Sequence, residues 1–314
     1  MTLPDYHGGS IVNLMQSIVA GLGRGATLPA YSPHRALPPA LLAESRHVVL
    51  LVIDGLGDGF LRRKRPGGAI ASLSNGPMTS VFPSTTASAV TTFLTADAPK
   101  QHALTGWFMW LREIGVVAEP LPFRIRAGGG NLCDTGLAPE SVFDRTPVFD
   151  LIRRERFMLQ PARLGSSVYS RAHQGAAVSR PYRTMGGLFS RIRQLTASKT
   201  PSYIYAYWPE LDTLGHRCGM ESAAAGAHLA EIDARVEGLL EKIRGRGVTL
   251  VVTADHGFVD TTADTWIDVE KHPQLKAMLA VPVCGEPRAA YCYLHPGAEQ
   301  DFVAYVREHL ASAC

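Results

Sequence analysis

Apolar positions run along this chain in two rhythms. Three segments, His47–Ile53, Ser202–Trp208 and Val248–Thr253, are near-continuous apolar or aromatic runs, each followed closely by an acidic residue. Runs without alternation predict strands buried on both faces, as in a parallel sheet. Other segments carry helical spacing. Ile11, Leu14, Met15, Ile18, Val19 and Leu22 fall on one face, with Ser10 to cap the start and Gly21 or Gly23 to end it. Small and β-branched residues from Thr86 to Thr95 predict a helix facing the sheet, preceded by a short strand over Pro77–Phe82. Helices are further expected over Arg145–Arg156, with Pro147 tolerated in the first turn, and over Pro181–Ala197. A long amphipathic helix over Glu221–Arg244 stops at Gly245-Arg246-Gly247. Met278–Val283 and Ala289–Leu294 read as strands near an edge, and Asp301–Ala311 as a closing helix.

Strands alternating with helices define the fold class as α/β, a doubly wound, mostly parallel sheet covered on both faces in an α/β/α sandwich. Residues 1–45 form a lead-in whose Pro-rich stretch, LPAYSPHRALPP, is a surface connection. Residues 46–314 are expected to form a single domain, with a cap or substrate-binding insertion around 108–200, where patterning is weak.

Composition narrows the function classes. A net charge of +3 in 314 residues gives no electrostatic ground for a nucleic-acid polymer or a membrane surface as partner. No apolar run approaches the roughly 20 residues of a membrane span. The five cysteines are odd in number, scattered and without a C-x-x-C pair, which fits a reducing compartment. With no Lys or Arg before Arg24, the N-terminus makes a poor signal peptide, and a cytoplasmic location is expected. Oligomeric state is left open.

The acidic strand ends carry the chemistry. Asp54 closes the first run on a Gly-rich turn, where a carboxylate is presented to a hard or borderline dication. Asp212 and His216, four apart in ELDTLGH, share one face if helical and can grip one ion. Asp255-His256 ends the third run, at the edge where open α/β sheets hold ligands. His272 is a candidate third partner for Asp212 and His216, with His102, His228 and His295 as rivals. In FPSTTASAVTTFLT, the Thr85-Thr86 hydroxyls sit at a strand-to-helix turn that favours phosphate. A dication beside such a hydroxyl makes it a usable nucleophile, and two ions suit in-line phosphoryl displacement.

Taken together, these residues resemble the alkaline phosphatase superfamily, and within it the type I phosphodiesterase/nucleotide pyrophosphatase branch. The similarity covers roughly residues 47–110 and 200–295. The resemblance implies Thr86 as nucleophile, with Thr95, Pro99 and His102 falling into the family's register. It implies one ion on Asp54, Asp255, His256 and Thr86, and a second on Asp212, His216 and His272. Zinc is the implied metal, with manganese serving some relatives, and the substrate a small-molecule phosphate ester. A phosphomonoesterase, a phosphonate hydrolase and a non-catalytic binding protein remain as alternatives. The chain departs from the family where Thr-Gly is Thr95-Ala96, where His-Gly is His102-Ala103, and where Trp107 stands in place of a phosphoryl-binding Asn, which makes Trp107 a candidate substrate-binding residue.

Overall fold

Seven consecutive residues, His47–Ile53, are buried on both faces, and the remaining strands are laid around them as β1. The computed structural model describes residues 2–23, 31–262 and 266–310; Arg24, the first residues of the Pro-rich stretch, Ala311 and Cys314 lie outside these. The other strands are β2 (Met109–Leu111), β3 (Val116–Glu119), β4 (Arg124–Ile125), β5 (Glu155–Leu159), β6 (Val178–Ser179), β7 (Ser202–Trp208), β8 (Val248–Thr253), β9 (Cys284–Glu286) and β10 (Ala289–Tyr291). The central sheet runs β6-β5-β7-β1-β8, and every pairing in it is parallel.

Because side chains alternate across a strand, each face of the sheet builds its own core. Val48, Leu50 and Val52 join Tyr203, Tyr205 and Tyr207 on one side, under the Ile11–Leu22 and Thr86–Thr95 helices. Val49, Leu51 and Ile53 join Ile204, Ala206 and Trp208 on the other, under the Met185–Leu195 and Ala223–Ile243 helices. The α/β/α sandwich expected from the pattern is therefore the architecture observed. In register, Ile53 lies opposite Trp208 and Val52 opposite Thr253, so β7, β1 and β8 end level with one another. Among the described residues, no helix is long and apolar enough to cross a membrane.

Two small antiparallel sheets stand beyond this edge, β2-β3-β4 and β9-β10. A bridge between Phe108 and Gly285 ties them together, with Gly285 N–H donating to Phe108 O at 2.7 Å and Phe108 N–H returning to Gly285 O at 3.1 Å. The approach is close enough that a Cβ on Gly106 would lie 2.6 Å from Gly285 Cα. Arg126 reinforces it, its guanidinium 3.9 Å over the Phe108 ring and bonded to Val283 O.

Several local expectations give way to tertiary context. Pro77–Phe82 is no sheet strand; its β-pairing is a single bridge from Thr79 to Ser10, and its end is a cis Phe82–Pro83 bond. The helix expected over Arg145–Arg156 shrinks to Val148–Leu151, and Glu155–Leu159 enters the central sheet as β5, where pairing with β7 outweighs a weak helical pattern. Consequently only the early part of 108–200 builds a separate layer, while β5 and β6 return to the main sheet. Met278–Val283 is not a strand: Met278 closes a helix from Pro273, and Leu279 makes one bridge to Leu294.

Three alanines carry left-handed backbone, Ala96, Ala103 and Ala127. Ala96 and Ala103, where the resembling family has glycine, adopt left-handed φ of 62° and 63° at the ends of the Thr86–Thr95 and Pro99–His102 helices. A Cβ in that conformation costs about 1–2 kcal/mol, more than the roughly 0.5–1 kcal/mol of chain freedom that glycine would add to the unfolded state. Ala96→Gly and Ala103→Gly are each expected to stabilise the protein by ~0.5–1 kcal/mol in urea melts; a loss of stability in both would contradict the strain.

Candidate active site

Three level strand ends bring the acidic residues to one place. Asp54 follows β1 directly, with its N–H on Trp208 O at 2.9 Å. Asp255 and His256 follow β8, and Asp212 sits in the first turn of the Glu210–Cys218 helix that follows β7. The helix expected for ELDTLGH is present, and it sets His216 Nε2 3.4 Å from Asp212 Oδ1.

Geometry converges on one nitrogen. His256 Nε2 lies 3.1 Å from Thr86 Oγ1, 3.4 Å from Asp54 Oδ1, 3.6 Å from Asp255 Oδ2 and 3.8 Å from Asp212 Oδ1. Those three carboxylate oxygens are buried and find no hydrogen-bond donor. Two of their sister oxygens are committed. The Tyr207 hydroxyl donates to Asp54 Oδ2, and Asp255 Oδ1 accepts from Gly55 N–H at 3.1 Å and His256 N–H at 2.9 Å. His256 Nδ1 is 3.1 Å from Gly257 O; donation there leaves a lone pair on Nε2.

Buried like charges do not coexist without a counter-charge. Burial raises Asp54 well above the ordinary carboxylate range, the charges of Asp255 and Asp212 raise it further, and the Tyr207 hydrogen bond pulls the other way. Burial also raises Asp212, against the pull of His256 and His216. Acceptor oxygens without donors, beside an imidazole lone pair, suit a divalent metal ion. Among the described residues, Asp54, Asp255 and His256 are the group whose ligand atoms all lie within 4.8 Å of one another.

Thr85 and Thr86 separate here. Thr86 is the first residue of its helix and faces His256, whereas Thr85, the N-cap, makes no cap bond and gives its hydroxyl to Glu286. His272 sits elsewhere: it precedes the Pro273–Met278 helix with Nδ1 3.0 Å from the Tyr305 hydroxyl, and its contacts do not include Asp212 or His216. His102 is buried against Thr92 and pushed down to about 3 by that burial, and His228 accepts the Trp208 indole N–H at 3.0 Å. Trp107 is half-buried at the mouth, its backbone N–H on Glu286 Oε1.

Several residues with roles here were not singled out by the sequence. Tyr207 orients Asp54, and only its i, i+2 spacing with Tyr203 and Tyr205 hinted at a shared face. Phe258 lies edge-on to both imidazoles, 5.0 Å from His216 and 5.6 Å from His256. Gly55 makes room for it, since a Cβ there would lie 2.6 Å from the Phe258 ring. Glu286 reaches the site from a hairpin that carries no motif.

The sequence matches the type I phosphodiesterase / nucleotide pyrophosphatase family over residues 48–313. The chain belongs to that family. It is thus a phosphoric ester hydrolase of the phosphodiesterase/nucleotide pyrophosphatase type. Among solved structures it is similar to murine ectonucleotide pyrophosphatase/phosphodiesterase 5, both in an inactive threonine-to-alanine form in complex with AMP and in a second structure. Each match has 18% identity and a TM-score of 0.58, covering 85% of this chain and 70% of the murine one, and supports the shared fold. No curated protein sequence matches the chain.

Within this phosphodiesterase family member, the raised carboxylates have a measurable sign. The folded, metal-stripped chain holds protons on Asp54 and Asp212 that the unfolded chain has already released. Its stability therefore falls as pH rises from the ordinary carboxylate range through the raised values. With a chelator present, the melting temperature should be higher at pH 5 than at pH 8, and Asp54→Asn should remove part of that slope. Added zinc should raise the pH 8 value most. A chelated protein equally stable at both pH values would contradict the arrangement.

Proposed function

We propose that the chain hydrolyses small-molecule phosphodiesters or pyrophosphates, nucleotides among them, through Thr86 and two divalent ions, zinc first and manganese second. The observation that carries this is the placement of Thr86 Oγ1 3.1 Å from His256 Nε2, amid three donor-less carboxylate oxygens. Asp54, Asp255, His256 and Thr86 would hold one ion, and Asp212 with His216 the other. His272, implied by family resemblance as a further ligand of the second ion, is held on Tyr305 in this arrangement. Bound dications supply the Lewis acidity that makes a threonine hydroxyl nucleophilic and offsets charge on the attacking and leaving oxygens.

The chain's own residues do the rest. Thr86 Oγ1 gives up its proton, by way of solvent, to the departing oxygen and attacks phosphorus in line; the bond from phosphorus to the leaving alkoxide or phosphate breaks as the phospho-threonine bond forms. Water then attacks the same phosphorus from the vacated side and the bond from phosphorus to Thr86 Oγ1 breaks; one water proton restores the Thr86 hydroxyl and the other leaves with the phosphate product or to solvent. The unpaired N–H groups at the start of the Thr86–Thr95 helix face the phosphoryl oxygens and favour their charge. Trp107 offers an aromatic face at the mouth for a base or aryl leaving group.

Diester preference has its own support. A monoester carries an extra anionic oxygen that calls for a cation, and four arginines of the region are engaged elsewhere. Arg124 pairs with Glu119, Arg126 covers Phe108, Arg171 bonds Ser166 O and Arg180 lies over Phe157. The murine relative bound AMP in a form inactivated by a threonine substitution, which fits a nucleotide-sized ligand and a threonine nucleophile. A cytoplasmic setting belongs to the same proposal, the described cysteines all being free.

Hydrolysis of bis-p-nitrophenyl phosphate and p-nitrophenyl phosphate by the zinc-supplied protein tests it. The diester should be cleaved with the higher kcat/KM. Thr86→Ala should lower kcat by roughly 10³-fold or more, with Thr85→Ala keeping most of it. Full activity in Thr86→Ala would remove it as nucleophile, and faster monoester cleavage would overturn the diester assignment.

A further inference from the structure

Glu286 is a carboxylate where the site would be expected to receive an anion. It stands at the end of β9, and its position is set by backbone rather than by side-chain packing. The bridge from Gly285 to Phe108 fixes the preceding residue, Gly285 holds φ at +80°, and the Gly106–Gly285 approach leaves no space for either backbone to slide. From there its side chain accepts the Trp107 N–H and the Thr85 hydroxyl. Thr85 is the residue before Thr86, and the imidazoles of His256 and His216 are near enough to act on Glu286. The carboxyl therefore sits between the nucleophile turn, the mouth tryptophan and the two imidazoles.

Burial raises the Glu286 carboxyl above its ordinary range, while the Thr85 and Trp107 hydrogen bonds, both running toward its oxygens, pull it the other way and hold it as an acceptor. A group that takes up the donors beside the nucleophile withholds them from a phosphoryl oxygen. Its charge also opposes any further negative oxygen placed next to it. A diester phosphoryl group brings one charge, and a monoester or free phosphate near neutral pH brings close to two. The penalty falls on the second charge.

We infer that Glu286 is a specificity-determining residue that excludes phosphoryl groups with a free, doubly charged end and so admits diesters and pyrophosphate linkages. The inference deepens the diesterase reading, and it concerns discrimination rather than turnover. An esterified oxygen, being neutral, can lie beside the Glu286 carboxylate at little cost, whereas an ionised terminal oxygen cannot. This is a filter built by repulsion and not by a pocket's shape.

The test is calorimetric binding of inorganic phosphate and of dimethyl phosphate to the zinc-supplied protein at pH 8, in wild type, Glu286→Gln and Glu286→Asp. Gln keeps an acceptor for Trp107 N–H and Thr85 but loses the charge. Asp keeps the charge on a shorter arm. Glu286→Gln should tighten inorganic phosphate by roughly tenfold, the order expected on removing one like charge from a partly buried site, and dimethyl phosphate by no more than about two- to threefold. Glu286→Asp should still bind inorganic phosphate as weakly as wild type does. Equal changes for both anions in Glu286→Gln, or none, would overturn the inference, as would tight phosphate binding by Glu286→Asp. These affinities are read without turnover, so a wild type that binds both anions but cleaves no diester would count against the proposed reaction and leave the discrimination measured.

Discussion

The constraint on which the site rests is electrostatic. Asp54, Asp212 and Asp255 each aim a donor-less, buried oxygen at the neighbourhood of His256 Nε2. Removing even one carboxylate from water is costly, and three that face one another raise each other's proton affinity instead of sharing a solvent shell. The sheet imposes this crowding. β7, β1 and β8 are parallel and end level, so the residues just beyond each strand meet those beyond its neighbour. Parallel pairing buys the convergence at the expense of metal-free stability, and the family's typical dependence on dications is the natural resolution.

Orientation within the cluster comes from groups that never face the substrate. Tyr207 occupies one Asp54 oxygen, and two backbone N–H groups occupy one Asp255 oxygen, so each of these carboxylates is left with a single free oxygen turned the same way. Burial keeps the Tyr207 phenol protonated far above its ordinary value, so it serves only as a donor here. Phe258 plays the corresponding part for the imidazoles, standing between His216 and His256 and made possible by the missing side chain of Gly55. The arrangement is held by a shell of one phenol, one phenyl ring and a few amides.

Much of this architecture is legible in the chain alone. β1, β7 and β8 announce themselves because strands buried on both faces must be apolar throughout, and their acidic successors announce the edge at which they end. The Asp212/His216 spacing and the Thr86–Thr95 helix follow from local rules alone. The features that escape depend on distant partners. β5 begins with Glu155 and Arg156, the last two residues of the expected Arg145–Arg156 helix, and becomes a strand where β7 supplies its ladder. Pro77–Phe82 and Met278–Val283 look extended but have no strand to pair with along their length. Glu286 enters the site through a glycine contact with a segment some 180 residues away, which no window of sequence contains.

That glycine contact has an evolutionary consequence. With Gly106 and Gly285 in backbone contact and neither able to accept a Cβ, the frame around the mouth is closed to gradual drift. Trp107 and Glu286 flank the contact, and the Glu286 carboxylate ties the Trp107 backbone N–H to it. Under the roles proposed for Trp107 and Glu286, a change of selectivity would come through these two side chains and not through movement of the backbone that carries them.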